Sequence, residues 1–255
     1  MKSLSLAKHG FMAFWYSYVG TLNSIWPSIT LQGKRLVIFP NVYKPLENEY
    51  ACSEYCREGD RVLDLGCGSG VGTVFCAPKA REVVAVDISP AALRNTEENC
   101  RIHGLENVKV MKSDMFSRVE GKFDLILANS PYLEDEFEAE EQQFATSVKY
   151  VPTLFAQVGD YLAEGGRLLI QFPLRSRPRI EKLASQHGLE LLTMRPLPPK
   201  SLALSLLSAV YLQVGFKSTL YLLQRQPARS LASSAGTVSG SVPLAAAKAA
   251  MPAVA

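Results

Sequence analysis

Short apolar segments that favour β-strands alternate along this chain with segments of helical character. The seven strand-like segments span residues 61–65, 82–86, 108–111, 123–128, 167–172, 189–194 and 218–223. The clearest helix spans residues 90–103: Ser89 is suited to cap it, Pro90 begins its first turn, and Gly104 ends it. This alternation is typical of a sheet with helices on both faces. The sequence therefore predicts an α/β fold around a seven-stranded sheet.

A glycine-rich turn follows the first predicted strand, in the sequence VLDLGCGSG at residues 62–70. Glycines at such a strand-to-helix turn let the backbone approach a ligand where side chains would block it. The residues three positions after Gly68 and Gly70 are Val71 and Thr73, so the G-x-G-x-x-G pattern of dinucleotide-binding folds is missing. The pattern is D-x-G-x-G-x-G, with an acid ahead of the glycines.

This pattern resembles motif I of the class I S-adenosylmethionine (SAM)-dependent methyltransferases, whose Rossmann-like sheet has seven strands. In that family the acid, here Asp64, lies near the methionine end of the cofactor, and the glycines face its backbone and ribose. Three later segments follow the family order. Asp87 ends the second strand, where it would accept the ribose hydroxyls, and Asp114 follows the third, where it would contact the adenine amino group. Asn129 follows the fourth strand.

The carboxyl ends of parallel strands meet in one crevice, so these segments are expected to converge. The resemblance implies SAM as the cofactor. No metal is expected, because the five cysteines form an odd set without paired CxxC spacing. The expected cofactor-binding residues are Tyr43, Asp64, Gly66, Cys67, Gly68, Gly70, Asp87, Ile88, Asp114, Met115 and Asn129.

Residues 129–132, Asn129-Ser130-Pro131-Tyr132, resemble the Asn-Pro-Pro-Tyr motif of HemK-like and small-domain methyltransferases. Those enzymes methylate nitrogens whose lone pair is delocalised into a π system. Oxygens of Asn129 and Ser130 would hold the N–H groups while Tyr132 packs on the acceptor plane. Ser130 stands where the motif has its first proline, which loosens the turn. A plain turn is the alternative interpretation of these four residues.

The segment at residues 39–49, which contains Tyr43, resembles a lip over the cofactor in HemK-like proteins, and the likeness as a whole covers about residues 36–175. It favours a protein side-chain nitrogen as the acceptor. A small metabolite methylated on nitrogen, oxygen or carbon is the alternative, and ribosomal RNA is a weaker one. Six acids within residues 134–141 would attract a cationic acceptor, with a solvated helical turn as the alternative interpretation of this run. A net charge of only +3 disfavours nucleic acid.

Three regions are expected: residues 1–40, with an aromatic helix and a lead-in strand; the SAM-binding domain, 41–225; and a disordered Ala/Ser-rich tail, 226–255. The aromatic run at residues 11–26 predicts an amphipathic helix packed on the domain, with a membrane-surface anchor as the alternative. It is too short to span a bilayer. Five cysteines without metal-ligand spacing indicate reduced thiols in a cytoplasmic protein. The uncharged segment 201–213 would cap the acceptor pocket or contact another subunit. Oligomeric state is left open.

Overall fold

The computed structural model describes residue 17 and residues 20–46, 48–129, 150–173, 176–197 and 218–225. Nine strands and four α-helices lie within these ranges, with one 3-10 helix at Glu49–Glu54 and a further helical stretch at residues 20–25. The strands are β1 (Ser28–Leu31), β2 (Lys34–Val37), β3 (Arg61–Leu65), β4 (Glu82–Asp87), β5 (Val108–Lys112), β6 (Phe123–Asn129), β7 (Leu162–Pro173), β8 (Leu189–Pro196) and β9 (Ser218–Arg225). The helices are α1 (Val71–Cys76), α2 (Pro90–Ile102), α3 (Tyr150–Tyr161) and α4 (Arg177–Gln186).

Seven strands form one sheet in the order β5-β4-β3-β6-β7-β9-β8. All neighbours are parallel except β9, which runs antiparallel to both β7 and β8. The prediction of a seven-stranded α/β sheet is confirmed. The chain moves outwards from β3 to β5 and then returns to place β6 on the other side of β3. A crevice opens at such a switch point, beyond the carboxyl ends of β3 and β6.

Alternate residues of each strand point to opposite faces of the sheet. Residues on both faces are buried. Leu63 and Leu65 belong to one core together with α3 and α4. Val62 belongs to a second core, which includes the 3-10 helix and the end of α1. The predicted helical cover on both faces is therefore confirmed.

Helix α2 begins and ends as the sequence predicts. The Ser89 hydroxyl accepts a hydrogen bond from the backbone N–H of Ala92 at 3.4 Å, and Pro90 opens the first turn. Beyond His103, Gly104 has a φ of +61°, a conformation that glycine adopts without strain. The predicted bounds of this helix are therefore confirmed to within one residue.

A two-stranded hairpin, β1 and β2, precedes the main sheet. Only a lead-in strand was expected here. Gln32 and Gly33 form its turn with φ angles of +45° and +77°. Residues 20–25 are helical and Leu22 is half-buried, whereas Ile25 and Trp26 at the end of the run are exposed. That the aromatic run packs on the domain stays a prediction. The rest of that aromatic run, at residues 11–16, 18 and 19, lies outside the described residues.

All five cysteines are buried and free. The spacing of four residues between Cys52 and Cys56 is that of one helical turn, but the two do not share a helix. The 3-10 helix ends at Glu54, before Cys56, and the Cys56 thiol lies 3.7 Å from the carbonyl oxygen of Cys76. No helix among the described residues is both long and apolar enough to cross a membrane. The acidic run, the 201–213 segment and the 226–255 tail lie outside the described residues.

Candidate active site

The glycine-rich turn, called here the glycine loop (residues 66–70), leads from β3 into α1. Gly66, Gly68 and Gly70 have φ angles of +79°, +54° and +77°, so each needs the left-handed region that glycine tolerates. A Cβ atom on Gly70 would lie only 3.0 Å from the Thr96 side chain on α2. The loop therefore needs glycine both for its turn and for its close packing on α2.

Thr96 also fixes the loop by hydrogen bonds. Its hydroxyl lies 3.1 Å from the carbonyl oxygen of Gly68 and 3.3 Å from the Cys67 sulfur. Burial raises the pKa of the Cys67 thiol well above its usual range, and nearby carboxylates raise it further. Cys67 is thus a neutral structural thiol whose backbone lies in the loop.

Asp64 is buried in β3, two residues before Gly66. Its Oδ2 atom accepts hydrogen bonds from the Thr73 backbone N–H at 2.8 Å and from the Thr73 hydroxyl at 2.7 Å. A Cβ atom on Gly72 would lie 2.9 Å from that oxygen, so a side chain there would disturb the carboxylate. Burial raises the pKa of Asp64 to about 6, although the Thr73 bonds lower it, and the charge of Asp87 raises it further.

Asp87 ends β4 and joins the glycine loop to the start of α2. Its Oδ2 accepts from the Gly68 backbone N–H at 3.0 Å, and its Oδ1 accepts from the Ser89 backbone N–H at 2.9 Å. Burial raises its pKa, while these backbone bonds lower it. Ile88 beside it is half-buried. The predicted residues Asp64, the loop and Asp87 are therefore brought together.

Asp114 and Met115 follow β5, the neighbour of β4. Asp114 is exposed, whereas Met115 is half-buried against the core in a strained backbone conformation with a φ of +49°. The Ser113 hydroxyl donates to the Met115 carbonyl oxygen at 2.8 Å and supports this turn. Because Lys112 pairs with Asp87, Asp114 lies two residues beyond the level of Asp87 at the same edge of the sheet.

Asn129 ends β6, directly beside β3. Ala128 pairs with Leu65, so Asn129 lies level with Gly66 across the crevice. Ser130, Pro131 and Tyr132 lie outside the described residues.

Tyr43 is half-buried in the segment after β2. Its hydroxyl donates to Glu49 at the start of the 3-10 helix, at 3.0 Å, which anchors the predicted lip.

Tyr150, at the start of α3, is a residue of this region that the sequence reasoning missed. Its hydroxyl donates to the Leu65 carbonyl oxygen at 2.9 Å, and it would lie 3.7 Å from a Cβ atom on Gly66. Burial raises the pKa of this hydroxyl, and the charges of Asp64 and Asp87 raise it further. Tyr150 is 85 positions from Leu65 in the chain, so no local pattern indicates the contact.

These features fit SAM. The glycine loop leaves its backbone accessible, and Asp64 and Asp87 are two desolvated carboxylates at the same crevice. Their raised pKa values mean that a ligand with positive charge or hydroxyl donors would stabilise the ionised forms. SAM has an ammonium group, a sulfonium and two ribose hydroxyls.

Similar solved structures share this fold. A ribosomal protein L11 methylase from Lactobacillus delbrueckii subsp. bulgaricus aligns with a TM-score of 0.54 at 20% identity, over 78% of this chain and 99% of that one. A tRNA m1G37 methyltransferase from Methanocaldococcus jannaschii aligns with a TM-score of 0.60 at 19% identity, over 78% of this chain and 56% of that one. At such identities the likeness concerns the fold alone.

Relatives found by sequence have higher identities than these structures, but each matches only part of this chain. A protein of Methanocaldococcus jannaschii named "Putative protein N5-glutamine methyltransferase" is 38% identical over 114 residues, which is 42% of this chain and 57% of that protein. A ribosomal protein L11 methyltransferase of Caldicellulosiruptor bescii is 42% identical over 81 residues, which is 31% of this chain and 26% of that protein. The matched part of this chain thus spans between about a quarter and just over half of these relatives.

The methyltransferase small domain family model matches residues 52–186. The match takes in the glycine loop, Asp64, Asp87 and Asn129. With just over half of its length matched, this chain belongs to the methyltransferase small domain family of SAM-dependent methyltransferases.

Proposed function

We propose that this chain transfers the methyl group of SAM to a nitrogen atom of a protein side chain. The observation that carries the proposal is the position of Asn129 at the end of β6, level with Gly66. An amide oxygen at this position would face the crevice that the glycine loop, Asp64 and Asp87 line. This is where an acceptor has to be held against the cofactor methyl.

The proposed cofactor site combines the loop with the acids beside it. Asp87 would bind the ribose hydroxyls, because its two carboxylate oxygens are already oriented by Gly68 and Ser89. Asp64 would compensate the positive methionine end. Asp114 and Met115, one strand further out, would flank the adenine ring. When bound, SAM supplies an electrophilic methyl carbon, and the chain's own groups bind and orient the acceptor.

The proposed role of Asn129 is to aim a weak nucleophile. The lone pair of an amide nitrogen is delocalised, so attack requires that its N–H groups be held and its lone pair directed at the methyl carbon. A new N–C bond forms as the C–S bond breaks, and the nitrogen loses one proton to solvent. Asn129, Ser130 and Tyr132 would hold the acceptor without a basic residue. The relatives named for glutamine and for ribosomal protein L11 support a protein acceptor.

Substitution of Asn129 tests this role. We expect Asn129→Ala to leave the affinity for S-adenosylhomocysteine nearly unchanged and to lower the methyl-transfer rate by about 100-fold, the typical effect of losing one preorganised polar group at a reacting centre. Tyr132→Ala should weaken acceptor binding more than cofactor binding.

Asn107→Ala is the matched control. Asn107 donates two hydrogen bonds of 2.8 Å to Ala77 and Ala80 at the opposite edge of the sheet, so its loss should leave turnover unchanged. Undiminished turnover in Asn129→Ala would contradict the assignment.

The acceptor itself can be identified with SAM labelled on its methyl group. The full chain is incubated with labelled SAM and a cell lysate, and the protein, RNA and small-molecule fractions are counted. We expect label in protein, and mass spectrometry should place the methyl on nitrogen. Label in RNA or in a metabolite would reject the protein acceptor, and a methyl on oxygen or carbon would reject the nitrogen assignment.

A further inference from the structure

Three buried asparagines join the N-terminal segment to the glycine loop. Asn23, in the N-terminal helical residues, and Asn95 and Asn99, on α2, have no exposed surface. Asn95 and Asn99 are four residues apart and therefore lie on the same face of the helix. These three residues are called here the asparagine clasp.

Asn99 makes the bridge. Its Oδ1 accepts from the Val37 backbone N–H at 2.8 Å, and its Nδ2 donates to the carbonyl oxygens of Val37 and Ser69, both at 2.8 Å. The amide has two N–H donors, and both are used. One side chain thus connects the end of β2 to Ser69 in the glycine loop.

The other two asparagines extend this connection. Asn95 accepts from the Phe39 backbone N–H at 2.8 Å and donates to the Val37 carbonyl oxygen at 2.7 Å. Asn23 donates to the carbonyl oxygens of Phe39, Pro40 and Val42, at 3.2, 3.1 and 2.8 Å. The segment that leads to Tyr43 is therefore fixed on both sides by buried amides.

We propose that the asparagine clasp positions the glycine loop, so that cofactor affinity depends on docking of the N-terminal segment. This inference rests on the proposed function, because it takes the loop to be the SAM site. The clasp residues are positioning residues: their amides bind backbone, and they act through Ser69 and residues 37–42. The dependence is reciprocal, so cofactor binding must also stabilise the docked N-terminal segment.

Calorimetry with S-adenosylhomocysteine tests the clasp on the full-length chain. We expect Asn99→Ala to weaken binding by about tenfold or more, because the carbonyl of Ser69 loses its fixed partner. Asn107→Ala is the matched control, since it also removes two amide hydrogen bonds donated to backbone carbonyls, but at the amino ends of the strands. Its affinity should equal that of the wild type, even if its melting temperature falls as far as that of Asn99→Ala.

Hydrogen exchange on the wild-type chain gives a second test that needs no variant to fold. S-adenosylhomocysteine should slow exchange of the Val37 and Phe39 amides, whose hydrogen-bond partners are clasp side chains. If the ligand protects residues 66–70 but leaves Val37 and Phe39 unchanged, the clasp proposal is overturned. Equal affinities of Asn99→Ala and Asn107→Ala would also overturn it. A wild-type chain that binds no S-adenosylhomocysteine would instead overturn the proposed function, and the clasp proposal with it.

Discussion

Substituting Asp64 with asparagine should stabilise the protein and weaken its cofactor binding. Asp64 has 6% of its surface exposed, and burial raises its pKa from 3.8 to about 6. The folded chain therefore retains a proton that the unfolded chain releases between about pH 4 and pH 6. This contribution to stability is complete below pH 4 and is lost as pH rises through 6. Above pH 7 the ionised carboxylate costs about 3 kcal/mol, since a tenfold difference in proton affinity is worth about 1.4 kcal/mol.

Asparagine has nearly the same shape and retains an oxygen that can accept both Thr73 hydrogen bonds. We expect Asp64→Asn to raise the free energy of unfolding at pH 8 by up to about 3 kcal/mol, which corresponds to roughly 6–12 °C in melting temperature for a chain of this size. The gain should shrink as pH falls below 6 and vanish near pH 4. Thermal and urea unfolding of both proteins across this pH range measure it.

Asp60→Asn is the control of opposite sign. Asp60 lies directly before β3, the strand that contains Asp64, and is also buried. Its carboxylate, however, lies 2.6 Å from the guanidinium of Arg167. Removing one partner of a buried ion pair leaves the other charge uncompensated, so this variant should lose about 3–5 kcal/mol. An Asp64→Asn protein that is destabilised at pH 8, or whose gain is independent of pH, would refute the reasoning.

The remaining predictions concern the other residues of the crevice. Asp87→Ala should lower the affinity for SAM by about 10- to 100-fold, because the ribose hydroxyls and the Gly68 N–H lose their acceptor; calorimetry measures it, and unchanged affinity would remove Asp87 from the site. Tyr150→Phe should raise the apparent KM for SAM, because the Leu65 carbonyl beside the loop loses its donor; an unchanged KM would make Tyr150 a packing residue. The wild-type affinity for SAM should rise as pH rises through about 6, where Asp64 ionises, and a flat profile would contradict its proposed role.

Local signals predicted most of the sheet. Each of the seven predicted strand segments is rich in aliphatic residues, and these segments became β3 to β9. Strand β7 begins five residues earlier than the predicted start at residue 167. Those five residues include Gly165, with a φ of +69°, and Gly166, and a glycine pair indicates a turn in any pattern-based prediction.

The hairpin β1–β2 was not predicted, because its sequence carries only a weak local signal. Its strands have only four residues each, and its turn places Gln32 in the left-handed region. Hairpins are recognised from Asn-Gly or Asp-Gly at that position, because those residues tolerate the conformation. Gln32 carries no such signal.

Long-range contacts also escaped prediction. Tyr150 meets Leu65, and Asn99 meets Val37 and Ser69, only after the fold has formed. The sequence placed Asp64, Asp87 and the glycines because strand ends and turns leave marks at fixed spacings. It did not indicate which polar side chains would hold that loop in place.

The carboxylates at the amino ends of the parallel strands and those at the carboxyl ends have different kinds of partner. This difference connects stability to function. At the amino ends of the parallel strands, each of three carboxylates is paired with an arginine: Asp60 with Arg167 at 2.6 Å, Glu82 with Arg61 at 2.5 Å, and Asp124 with Arg81 at 2.9 Å.

At the carboxyl ends, by contrast, Asp64 and Asp87 accept hydrogen bonds from neutral donors, and neither forms an ion pair within the part of the chain that the structure describes. Their negative charge is held in place by the fold but is not neutralised by it, at a cost to stability. A cationic ligand would remove that cost on binding. The opposite signs expected for Asp60→Asn and Asp64→Asn follow from this asymmetry.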